Sequence, residues 1–185
     1  MDLQILWAIH SVCQSSFMDT VMPFFTALGE HGMLWLAIGA VLLCIKKYRM
    51  WGVALLVAVA AVWIVGDQIV KPLVARPRPF IEDPSIQLII APPDGYSFPS
   101  GHTSSAFAAA TVLALSSLKR PWKIAAFVVA FIIAFSRLYL FAHNPSDVLA
   151  GAVLGIAFGF LAVWAVRKIW ERIEESRRPR GAHAA

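Results

Sequence analysis

Ser97-Phe98-Pro99-Ser100-Gly101-His102-Thr103 is a short polar break that opens onto an uncharged apolar run over residues 103–118. Pro99 and Gly101 punctuate the chain and Ser100 is a good helix N-cap, so a helix is expected to begin near Thr103. The first amides of such a helix have no intrahelical partner and sit at the positive end of its dipole. That arrangement favours an anion such as phosphate, and His102 in the first turn adds a proton donor or acceptor beside it. Taken alone, the stretch reads more simply as an ordinary capped helix with a satisfied histidine. Two further stretches shift that balance.

The surrounding composition is that of a membrane protein. Of 185 residues 59% are hydrophobic and only 15% charged, and the mean hydropathy is +0.69. Runs with little or no charge occupy residues 32–45, 50–66, 103–118, 124–136 and 148–166. Each needs modest extension to reach the roughly 20 residues that cross a bilayer. The expected fold is therefore an all-α, multi-pass membrane helix bundle of five spans, with a sixth open, formed by one domain over residues 1–185. Residues 1–31 read as an amphipathic N-terminal segment lying in the membrane interface, interrupted at Gly29-Glu30-His31-Gly32. No removable signal peptide is read at the N-terminus. Cys13 and Cys44 lie far apart along the chain and are not expected to pair, and neither has metal-ligand spacing. The net charge of +5 falls in the turns between apolar runs, which points to membrane orientation and not to nucleic acid.

Orientation follows from where the basic residues fall. The turns at Lys46-Lys47-Tyr48-Arg49 and Lys119-Arg120-Pro121-Trp122-Lys123, together with a basic tail over residues 167–185, hold 12 of the 16 lysines and arginines. By the positive-inside rule these segments are cytoplasmic. The remaining four, Lys71, Arg76, Arg78 and Arg137, lie on the opposite, extracytoplasmic side. Cations at membrane ends are costly enough to imply a function. The long loop over residues 72–98, too rich in proline for continuous helix, lies on that same side.

Three clusters thus share one membrane face: Lys71 to Arg78, Ser100 to His102, and Arg137 to Asp147. Together they supply positive charge for phosphate oxygens, a nucleophile and a proton donor, which phosphoryl transfer requires. If a helix starts at Pro145 with Asn144 as its cap, Asp147 occupies the third helical position and its carboxylate can reach back toward His143. A carboxylate bonded to one imidazole nitrogen fixes the tautomer and leaves the other nitrogen nucleophilic. An ordinary capping acid beside an interfacial histidine is the equally simple alternative.

Three spacings then coincide: Lys71, six residues, Arg78-Pro79; Pro99-Ser100-Gly101-His102; and Ser136-Arg137, five residues, His143, three residues, Asp147. With these the chain resembles the type 2 phosphatidic acid phosphatase superfamily of integral membrane lipid phosphatases. Its small size and N-terminal stretch are most similar to bacterial undecaprenyl-diphosphate phosphatases. The resemblance implies a cofactor-free, metal-independent hydrolysis at the outer face of the plasma membrane. By it His143 would attack phosphorus, Asp147 would orient His143, and His102 would protonate the leaving oxygen. Lys71, Arg78, Ser100, Gly101 and Arg137 would hold the phosphate, with Arg76 as a helper toward a second phosphate or a lipid headgroup. The implied partner is a membrane lipid phosphate or diphosphate in the bilayer. Phosphatidylglycerophosphate and phosphatidate are alternative substrates, and a binder or transporter of phosphorylated lipid without turnover is the alternative of another class.

Overall fold

The structure is a computed structural model and describes residues 1–177. Helices account for all the regular structure among the described residues. The N-terminal segment folds as α1 (Asp2–Cys13) and α2 (Ser16–Leu28), the second opened by Ser15, whose hydroxyl accepts from the Met18 amide. After Gly29 a single tight turn, Glu30–Gly32, leads into α3 (Met33–Cys44), and the chain bends there by 46°. His31 and Gly32 both adopt positive φ in that turn, which a continuous helix does not tolerate.

The next helix, α4 (Arg49–Val62), runs on through a widened π-type segment, Trp63–Val70, into α5 (Lys71–Val74), which ends at Ala75 in the left-handed region. Such widened turns shift the register of the side chains beyond them and are common at functional sites. Here the segment carries Asp67 and delivers Lys71. A one-turn helix, α6 (Pro79–Glu82), follows inside the proline-rich loop. Then come α7 (Gly101–Leu115), α8 (Arg120–Tyr139) and α9 (Pro145–Arg177). The tail expected to be basic and cytoplasmic continues α9 as far as Arg177; its remainder lies outside the described residues.

Three stretches among the described residues are long and apolar enough to cross a membrane: Lys46–Glu82, Arg120–Tyr139 and Pro145–Ser176. A fourth is counted if the bent pair Ser16–Leu28 with Glu30–Cys44 is one span. The protein is an integral membrane helix bundle, and length and composition support three to four spans where five were expected. The difference arises chiefly at α7, whose 15 residues extend about 22 Å, short of a hydrocarbon core of about 30 Å. Its centre has little need of lipid. Every residue from Thr103 to Leu113 is buried, enclosed by α4, α8 and α9, as befits a helix without a polar face.

The seam between α7 and α9 sets the position of the site. Gly151, Gly155 and Gly159, spaced one turn apart on α9, face Ser100, Ser104, Ala108 and Thr111. A methyl group at Gly155 would lie 2.3 Å from the Ser104 carbonyl oxygen and 2.9 Å from the Ala108 amide nitrogen. Small residues at this spacing let two backbones approach as closely as they do in membrane helix pairs. The approach brings the start of α7 against the start of α9, where the Ser100 amide donates to the Asp147 carbonyl at 3.1 Å.

Helix α1, expected in the interface, is docked on protein along one side. Leu6 is fully buried with Ile86 and Phe141, and the Trp7 ring sits 5.0 Å from that of Phe141. The Trp7 indole N–H also donates to Asp83 at 3.1 Å. Asp83 accepts from the Ser85 hydroxyl and amide as well, and these bonds, with that of Trp7, hold its carboxyl below the usual carboxylate range.

Candidate active site

A cavity of about 710 Å³ opens at the end of the bundle where α7 begins. Its walls come from the Glu30–Gly32 turn, the end of α4 and its widened extension, the loop from Ile90 to Gly95, and the C-terminal end of α8. Lys71, Arg78, Gly101, His102, Arg137 and His143 all line it. These residues, drawn from three separated motifs, converge on one space.

Each cation has a distinct support. Lys71 pairs with Asp67 one turn earlier. Arg78 is 5% exposed and is fixed by three carbonyls: Nε donates to Gly95 at 3.0 Å, Nη1 to Ala142 at 2.8 Å and Nη2 to Asp94 at 2.7 Å. Arg137 donates through Nη1 to the Thr26 hydroxyl on α2, while its buried Nε has no partner among the described residues. The Arg137 carbonyl accepts from the amides of Ala142 and His143, which ties the turn carrying His143 back to α8.

Gly101 lies against Asp67, whose carboxylate oxygens are 2.8 and 3.0 Å from where a β-carbon would be. The helix begins at Gly101, two residues earlier than expected from sequence. Ser100 caps it: its hydroxyl oxygen accepts from the Thr103 amide at 3.4 Å and from the Thr103 hydroxyl at 2.9 Å. Ser100 is fully buried and is not among the residues lining the cavity.

His143 and Asp147 are both nearly inaccessible. Asn144 precedes α9, and the Asp147 carboxylate accepts from its amide at 2.8 Å, as the third residue of a capping box does. The distance from His143 Nδ1 to Asp147 Oδ2 is 3.8 Å, too long for a hydrogen bond. Ser97 stands between them, its Oγ 2.5 Å from Asp147 Oδ2 and 3.4 Å from His143 Nδ1. On the opposite side of the ring, Nε2 lies 3.4 Å from Arg78 Nη1. A guanidinium only donates, so the network assigns Nε2 as the acceptor and places the ring proton on Nδ1. Burial pulls the His143 imidazole well below its usual range; Asp147 opposes this, and Arg137, Arg78 and Lys71 reinforce it. The ring is held neutral, with a free lone pair facing the cations.

Sequence reading missed several members of the site. Glu30, seen only as part of a helix break, brings its Oε2 to 3.6 Å from His102 Nε2. Thr26 holds Arg137, and Ser97 bridges Asp147 toward His143. A lone carboxylate between two apolar stretches was the available signal for Glu30. Ser97 lies in the polar break before α7 but carried no assigned role, and nothing local marked Thr26. Arg76, expected as a helper toward a second phosphate or headgroup, does not line this cavity; it lies on the far side of Asp147, bonded to that carboxylate.

Chemically the cavity is suited to an oxyanion. Three cationic side chains and three imidazoles, those of His31, His102 and His143, line it, and two buried nitrogens, Arg137 Nε and His102 Nε2, have no hydrogen-bond partner among the described residues. Buried polar groups are rarely left so unless water or a ligand completes them. Among the described residues no three His, Cys, Asp or Glu side chains are grouped to hold a metal ion.

Residues 51–171 match the PAP2 superfamily. The chain belongs to that family. It is 32% identical over 158 residues to an undecaprenyl-diphosphatase of Sulfolobus acidocaldarius, covering 85% of this chain and 75% of the relative. It is also 32% identical over 185 residues to the lipid A 4'-phosphatase of Bacteroides thetaiotaomicron, covering 94% and 80%. Among solved structures, the PAP2-type phosphatidylglycerolphosphate phosphatase of Bacillus subtilis superposes with a TM-score of 0.74 at 27% identity, covering 91% of this chain and 85% of that one.

Proposed function

We propose that this protein is a metal-independent lipid phosphatase that removes the terminal phosphate of undecaprenyl diphosphate through a phosphohistidine at His143. The observation that carries the reading is the His143 ring. It is neutral, buried on its Nδ1 side against Ser97 and Asp147, and presents Nε2 toward Arg78 in a cation-lined cavity. A lipid diphosphatase among the relatives supports the substrate.

In the first step Nε2 attacks phosphorus, the bond to the leaving oxygen breaks, and His102 gives that oxygen a proton. In the second, water attacks the phosphohistidine, His102 takes its proton, the N–P bond breaks and inorganic phosphate leaves. Lys71, Arg78 and Arg137, with the amides at the start of α7, stabilise the charge on the non-bridging oxygens in both steps. Gly101 keeps the backbone open there, and Ser100 acts through the cap that orders it.

Purified protein in detergent with a chelator present is expected to release phosphate from undecaprenyl diphosphate in preference to phosphatidylglycerophosphate and phosphatidate. Preference for a glycerolipid would keep the mechanism and replace the substrate. Loss of all activity in chelator, restored by magnesium, would overturn the metal-free chemistry. Release from none of the three would favour a lipid binder or transporter.

The site faces the extracytoplasmic side of a bacterial plasma membrane in this reading, supported by the concentration of basic residues in the opposite turns. A tag inserted near Asp83 is then expected to react with an impermeant reagent in intact cells, while one at Ala185 is protected. The reverse labelling pattern would invert the topology.

A further inference from the structure

Arg76 makes a set of contacts that the proposed chemistry does not use. Its Nη1 donates to Asp147 Oδ1 at 2.8 Å and to the Ser146 hydroxyl at 2.6 Å, and its Nη2 donates to Asp2 Oδ2 at 2.8 Å. The Ser146 hydroxyl donates to the same Asp2 oxygen at 2.5 Å. A closed ring of bonds therefore joins the first residue of α1, the segment after α5 and the first turn of α9. Asp147 itself is fully buried. Its two oxygens divide the work: Oδ2 takes the Asn144 amide and the Ser97 hydroxyl on the His143 side, and Oδ1 takes Arg76.

We propose that Arg76, braced by Asp2 of the N-terminal helix, is a positioning residue that fixes the Asp147 carboxylate and, through it, the nucleophilic His143. A carboxylate this deeply buried needs a charged partner to stay ionised. His143 is held neutral and stands 3.8 Å away, and Arg78 is directed to three carbonyls. Arg76 is the cation in direct contact. Bonding of Nη1 to Asp147 and Ser146 and of Nη2 to Asp2 fixes the guanidinium itself, so that its donor is held against Asp147 Oδ1, which a lysine in its place could not do. Asp2 makes α1 part of the active-site support, so that the docking of an interfacial helix and the alignment of the nucleophile are one structure.

The inference rests on the phosphohistidine reading, and the test separates the two. Phosphate release is measured for the wild type, Arg76→Gln, Arg76→Lys and Asp2→Asn across pH, with thermal unfolding recorded for each. The charged and titratable groups around Asp147 are Arg76, Asp2 and Arg78, with the neutral His143. Removing the Arg76 charge favours protonation of Asp147, so the acid limb of the rate profile is expected to move to higher pH. In Arg76→Gln kcat is expected to fall by about 10- to 100-fold with KM changed less than about 3-fold, as for loss of a supporting shell. Arg76→Lys recovers part of the loss, and Asp2→Asn gives a smaller loss of the same kind. Soaking Arg76→Gln in guanidinium ion at low concentration is expected to restore part of kcat.

A raised KM with unchanged kcat would make Arg76 a substrate contact and overturn the proposal. So would a loss of kcat that tracks the unfolding temperature while the pH profile stays fixed. Failure of the wild type to release phosphate would instead overturn the reading beneath it.

Discussion

His143→Ala is expected to lower phosphate release by about four to six orders of magnitude, the loss seen when a nucleophile that works with its partners as a unit is removed. The expectation rests on position as much as on residue type. Nε2 is the nitrogen that faces the cations, and Nδ1 is walled off behind Ser97 and Asp147. His102, the proton donor of the account, stands on α7 with its Nε2 3.6 Å from Glu30 Oε2. His102→Ala should behave differently, because an acid matters only when the leaving group needs a proton. That variant is expected to retain far more activity on an activated aryl phosphate than on a lipid alkyl phosphate, whereas His143→Ala loses both alike. Equal loss on both substrates in the two variants would erase the distinction between nucleophile and acid. Burial pulls the His143 ring well below its ordinary range, so it stays unprotonated at neutral pH. Activity lost through its protonation should disappear only as pH falls below the normal histidine range.

Gly155→Leu is expected to abolish the folded protein. The nearest atoms to an added β-carbon are backbone, the Ser104 carbonyl oxygen at 2.3 Å and the Ala108 amide nitrogen at 2.9 Å, and neither can rotate away as a side chain could. Accommodation requires α9 to move off α7, which separates the Ser100 amide from the Asp147 carbonyl. Overpacking costs about 1–3 kcal/mol where a core can adjust, and this seam joins two helix backbones, so the cost should exceed that range. Gly155→Ala should lower the unfolding temperature and activity together. Val153→Ala, on the same helix but 69% exposed, should change neither. A Gly155→Leu protein that elutes as a sharp species in detergent with wild-type turnover would show that the close seam is not needed.

Much of the site was legible in sequence because its chemistry is written in short spacings. Lys71 and Arg78, Ser100 to His102, and Arg137 to Asp147 are each set by one helix end or one turn, and membrane helices leave few ways to bring such ends together except at a common face. The structure brings their cationic and imidazole groups to one cavity. What escaped is of another kind. Thr26 meets Arg137 across 111 residues and Arg76 meets Asp2 across 74, and no local pattern encodes a pairing at that separation. Arg76 and Arg78 both precede a proline, yet Arg76 bonds Asp147 Oδ1 while Arg78 faces His143 Nε2, and nothing in the local pattern says which goes where. The number of spans is less legible: length and composition give three to four among the described residues, and α7, apolar and enclosed by protein, falls below the length that counts as a span on its own.

The measurement that bears most directly on the central claim is rapid quenching of turnover with substrate labelled at its terminal phosphate, followed by mapping of any phosphorylated peptide. The account predicts a phosphoryl group on His143, labile to acid and stable to base, that is absent from His143→Ala and accumulates when the second step is slowed in His102→Ala with an aryl phosphate. Full turnover with label on no residue, or label retained in His143→Ala, would contradict it and require direct attack by water or a different nucleophile.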